Sequence, residues 1–72
     1  MNLLGAEEGI EYIITRVDVG DDEEMESFLF SLGCYEGQPI TVITRLKSGC
    51  IVSIKDGRYT IDKPLMAAIK IR

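Results

Sequence analysis

Two thiols and a run of carboxylates are the groups in this sequence with chemistry to offer. Cys34 and Cys50 lie sixteen residues apart, and the run GDDEEME, residues 20–26, carries five acids. The sequence contains no histidine, which excludes a histidine acid–base pair and a nucleophile–histidine triad. Thiols at this spacing match no zinc signature, and they read as small core residues, kept reduced inside a cell. The acid run lacks the ligand spacing and the distal bidentate Glu of a calcium loop. It reads instead as the solvated first turn of a helix, whose positive dipole end favours carboxylates. Gly33 and Gly37 lack the Lys-Ser/Thr that follows a phosphate-cradling loop, so no nucleotide site is expected. The reading is of a protein with no catalytic residues, no cofactor and no dedicated metal site; a transient metal-ion contact through surface acids is the alternative.

The elements that must position these groups can be read in order. Glu11–Asp18 is rich in β-formers and reads as a strand, with Tyr12, Ile14 and Arg16 on one side and Ile13, Thr15 and Val17 on the other. A helix over about 21–32 follows, capped by Asp21 or Asp22. Met25, Leu29 and Leu32 share its apolar face, with Phe28 at the edge. Phe30 lies about 140° from Met25, on the polar side. Gly33 suits the left-handed position that ends a helix, and Gly37 suits the turn Tyr35-Glu36-Gly37-Gln38. Pro39–Arg45, Cys50–Lys55 and Arg58–Ile61 read as a three-strand meander. Lys47-Ser48-Gly49 joins the first pair, and Asp56-Gly57 joins the second as a hairpin. Asp62 caps a short helical turn over Lys63–Met66, with Pro64 near its first position, and Ala68–Ile71 is a last strand. Five short strands in so few residues predict one mainly β domain over 1–72, a small, partly open barrel with few bare edges.

The 72 residues allow one small core. No leader and no membrane-crossing run is expected, which points to the cytoplasm. Residues 1–36 carry ten acids and one base, whereas 37–72 carry two acids and seven bases. The net charge of −4 speaks against non-specific nucleic-acid binding. Arg45, Lys47, Lys55, Arg58 and Tyr59 could still gather at the meander's turns as a small basic, aromatic patch.

The pattern LFSLGCYEGQPITV, followed by IVSIKDGRYTIDKPLMAAIKI, resembles the ferrous iron transport protein A (FeoA) family. The shared positions are Leu29, Leu32, Gly33, Gly37, Ile40 and Val42, then Gly57, Ile61, Ile69 and Ile71, and the likeness runs from about Gly9 to Ile71. Phe28, Cys34 and Glu36 depart from it, standing where the family often has Arg, a branched aliphatic and Pro. The resemblance implies an SH3-like barrel with an inserted helix. It also implies a cytoplasmic accessory of the ferrous transporter B protein, a membrane permease with a GTP-binding domain. Related domains form the C-terminal part of metal-dependent repressors, so a domain binding a repressor's peptide segment, or DNA, is the rival reading. Self-association through an open edge is a third. The surface expected to meet a partner is Phe28, Phe30 and Tyr35, which otherwise pack within the domain.

Overall fold

A computed structural model describes residues 1–72. Strand β1 (Glu11–Val17) leads to helix α1 (Glu23–Leu32), then to β2 (Pro39–Arg45), β3 (Gly49–Ile54) and β4 (Gly57–Asp62). Helix α2 (Lys63–Ala68) and strand β5 (Ile69–Ile71) close the chain. The strands form one antiparallel sheet in the order β4-β3-β2-β1-β5. β4 and β5 do not pair, so the sheet is curled but open, as the sequence predicts.

β1 is the corner of this sheet. Its first half pairs with β2, Tyr12 facing Ile40, and its second half pairs with β5, Val17 facing Ile69. The register shifts between Ile14 and Arg16. Such an irregularity resets the period-two alternation. Ile14 is buried and Val17 packs against the core, while Arg16 is exposed. The expectation that Arg16 shares the side of Ile14 is therefore corrected: the bulge flips the strand's phase. A second shift, between Val42 and Thr44, bends β2.

α1 starts where Asp22 Oδ1 accepts from the Met25 N–H at 2.9 Å. It ends at Gly33, whose φ is 98°. The Gly33 N–H donates to Phe30 O at 3.0 Å and the Cys34 N–H to Leu29 O at 2.9 Å. These are the two bonds of a Schellman motif, which satisfies carbonyls left over at the helix end. Tyr35–Gln38 then turns, with the Gln38 N–H donating to Tyr35 O and Gly37 at φ 91°.

The two loops of the meander differ from expectation. Ile54 pairs with Gly57, so the β3–β4 turn is Lys55-Asp56 and Gly57 already belongs to β4. Lys55 takes the positive φ, 53°, and Gly57 lies under the Tyr59 ring instead. Gly49 is likewise a strand residue rather than a loop residue, opposite Asp62. A Cβ on it would stand 2.0 Å from Ile61 O. No L side chain fits so close a backbone approach.

The core is wholly apolar. Ile14, Leu29, Ile40, Val52, Ile61 and Ile69 are among its fully buried members. Leu3 joins them from a short 3-10 turn, Leu3–Gly5, that the sequence reading does not contain. The segment before β1 is strapped across the sheet. Arg45 Nη2 donates to Leu4 O at 2.9 Å and to Ala6 O, and the Arg45 N–H donates to Glu8 Oε2 at 2.6 Å. The Ile71 N–H donates to Met1 O at 2.8 Å, so the strap also covers the outer side of β5.

Candidate functional site

The C-terminal half of α1 and its exit turn carry the most distinctive surface. Phe30 is 64% exposed, which is unusual for a phenylalanine on a formed helix. Its ring lies 5.1 Å from that of Tyr35, centroid to centroid, at 39°. Gly33 makes this pairing possible: by reversing the chain it brings Tyr35 back beside the helix. Lys55, on the β3–β4 turn, donates from Nζ to Tyr35 Oη. The same ammonium is 4.9 Å from the ring centroid. Close contact with Oη at that distance puts the charge off the hydroxyl end, so a hydrogen bond holds Tyr35 rather than a cation on the ring face.

The two rings form a ridge between two grooves. One, of about 450 Å³, runs between α1 and the exit turn and is lined by Val17, Glu26, Phe30, Cys34, Tyr35 and Glu36 among others. The other, of about 670 Å³, lies toward the β3–β4 turn and includes Ile54, Lys55, Asp56 and Tyr59. Phe28 is 46% exposed but lines neither groove. Two helical residues two apart point nearly opposite ways. The structure thus brings Phe30 and Tyr35 together and leaves Phe28 apart.

The basic patch does not form as one surface. Arg45 and Lys47 lie at the Gly49 end of β3, Lys55 and Arg58 at its Ile54 end. Five residue steps of strand separate the ends by roughly 17 Å. Arg45 is in addition occupied with the N-terminal strap.

The FeoA domain model matches residues 1–72. This chain belongs to the FeoA family. Among solved structures, an iron uptake regulatory protein (FeoA) superposes with a TM-score of 0.87 at 25% identity, covering 100% of this chain and 95% of that one. Stenotrophomonas maltophilia FeoA, crystallised with zinc, gives 0.87 at 13% identity, covering 100% and 89%. It is described as an SH3 domain protein and suggested to be a bacterial ferrous iron transport activating factor. Iron(II) transport protein A from Clostridium thermocellum gives 0.84 at 19% identity, covering 99% of this chain and 44% of that one. No match to a curated protein was found. The FeoA fold is accordingly mainly β and SH3-like, as the resemblance implies.

In this FeoA domain both cysteines are free thiols in the core. Cys34 follows the helix-ending glycine, a position that often packs back on the last helical turn, and Leu29 of that turn is buried with it. Burial pushes the Cys34 thiol up from 9.0 to about 11. Burial also raises Cys50, against the opposing pull of the Arg45 guanidinium. Thiols held neutral in this way are poor nucleophiles and poor ligands at neutral pH. The acids of residues 20–26 stand exposed around the start of α1, where Asp22 caps it. No three Cys, Asp or Glu side chains converge as a metal ion would require. No helix is long and apolar enough to cross a membrane.

Proposed function

We propose that this FeoA domain is a non-enzymatic, cytoplasmic interaction module of ferrous iron uptake that contacts the ferrous transporter B protein and regulates it. One observation carries the reading: a phenylalanine left mostly in water, its ring tilted against a tyrosine and flanked by grooves on both sides. Leaving that much of a phenylalanine exposed forgoes about 1–2 kcal/mol of burial, a cost that a partner's apolar surface recovers. Membership of the FeoA family supports the transport role. The suggestion of an activating factor, made for the Stenotrophomonas protein, supports regulation over passive attachment.

The test is binding of the purified domain to the GTP-binding region of its host's ferrous transporter, with GTP hydrolysis followed in the same samples. Saturable binding with an altered hydrolysis rate is the expected result. Absence of binding in every nucleotide state, to that region and to the full transporter in membranes, would rule the reading out. Phe30→Ala separates contact from packing. Partner binding should fall at least tenfold, as for an aromatic anchor, while unfolding free energy changes by no more than about 1 kcal/mol, the scale of one exposed ring pair.

A further inference from the structure

Resting on the reading of this domain as an interaction module, we propose that the groove between α1 and its exit turn takes an extended peptide segment of the partner in which lysine or arginine alternates with bulky apolar residues. The lining sets both halves of that chemistry. Val17, Phe30, Cys34 and Tyr35 supply apolar surface, Glu26 and Glu36 supply carboxylates, and no lysine or arginine lines the groove.

Neither Glu26 nor Glu36 is in an ion pair; Arg16 and Asp18, 3.4 Å apart, form the one ion pair in the molecule. Asp21, Asp22, Glu23 and Glu24 stand exposed on the same helix's first turn and its approach, and their field adds to that of the groove. An incoming cation breaks no existing ion pair, the nearby Lys55 ammonium being engaged at Tyr35 Oη and lining the other groove, and an acidic segment or a phosphate backbone meets repulsion. The alternation follows from the shape. Glu26 and Phe30 stand one turn apart on α1, and Tyr35 and Glu36 lie on the exit turn that completes the trough. An extended segment with one side chain turned to the Phe30 ring therefore turns the next toward the Glu36 side.

The trough is also held in shape before anything binds. The helix-ending bonds to Leu29 O and Phe30 O fix the turn, and Lys55 fixes Tyr35. A preformed site loses little freedom on binding.

The probe is a six-residue peptide alternating leucine with lysine and arginine, compared with the same peptide carrying glutamate at the basic positions. Both are titrated into the full chain and followed by amide NMR. The basic peptide should shift Ser27, Phe30, Ser31, Tyr35 and Glu36, and the acidic one should leave them unmoved. The double variant Glu26→Gln/Glu36→Gln should weaken binding roughly three- to tenfold, the range expected of two part-exposed charge contacts. Phe30→Ala should weaken it about tenfold or more. Equal response to both peptides, shifts confined to the first turn of α1, or unchanged affinity in the glutamine variant would overturn the proposal. The transporter assay fails separately. If the transporter region binds but the glutamine variant and Phe30→Ala bind it equally well, the groove assignment falls and the module stands. If the peptide maps to the groove but no transporter binds, the groove stands and the module's partner is another protein.

Discussion

At the scale of single residues, two glycines and a thiol decide most. Gly33 holds φ 98°, and an added Cβ would stand 3.1 Å from Ile54 Cγ2. Gly33→Ala should therefore lower the unfolding free energy by about 1–2 kcal/mol, the ordinary cost of a left-handed L residue, as read from urea titration. Gly49→Ala should cost more, about 2–3 kcal/mol, because overpacking against backbone cannot be relieved by a rotamer change. Its clash with Ile61 O forces apart the end of the β3–β4 ladder, which amide exchange at Ile61 and Asp62 would report. Cys34 makes a pH prediction. Its thiol titrates near its ordinary value when unfolded and near 11 when folded. Above pH 9 the unfolded chain loses this proton first, so the stability contribution is complete below pH 9 and is lost as pH rises toward 11. The loss is on the order of 2 kcal/mol. Comparing the pH dependence of wild type with Cys34→Ala isolates the contribution of this thiol. Cys34 should also resist thiol reagents at neutral pH until the chain unfolds.

At the scale of elements, α1 depends on its ends and the sheet depends on its strap. Asp22→Ala removes the side-chain acceptor for the Met25 N–H and should cost about 1 kcal/mol. Asp21→Ala, at an exposed position with no capping bond, should cost little by comparison. The same denaturant titration distinguishes them. Leu3 is buried completely although it lies outside every strand and long helix. Leu3→Ala should cost about 2–4 kcal/mol, as for other buried leucines. That is a large share of the stability of so small a domain. Arg45 ties the strap through carbonyls of Leu4 and Ala6, so its role is structural although its charge invites a binding interpretation.

At the scale of the whole molecule, the sheet is open and each edge is managed differently. The outer side of β5 receives the strap through Met1 O, with Asn2 bridged to Lys70. The outer side of β4 has no partner strand, and Arg58, Asp62 and Lys63 stand exposed along or beside it. Charged side chains on a bare edge discourage pairing with a second copy. Deleting residues 1–8 should thus do two things at once: remove Leu3 from the core and uncover β5. The expected outcome is a markedly lower melting temperature and self-association by sedimentation, where the full chain sediments as a smaller species at equal concentration.

Much of this architecture was legible in the sequence because local signals and the fold agree. Alternating apolar runs, a cap at Asp21 or Asp22, the Asp62 cap and the Gly33 stop are written in a few adjacent residues, and their order suffices for an open β barrel with one inserted helix; the structure selects Asp22. The absence of histidine alone removed the histidine chemistries. Tertiary structure decided what depends on residues distant in the chain. The bulge that turns Arg16 outward is set by β1 serving two partner strands. The approach of Ile61 to Gly49, the strap through Arg45 and the burial of Leu3 carry no local signature, since each is a contact across many residues. The candidate site divides in the same way. Phe30 on the polar side of α1 was visible from helical spacing, but only the reversal at Gly33 sets Tyr35 against it, opens acid-lined and Lys55-lined grooves on either side, and leaves Phe28 out.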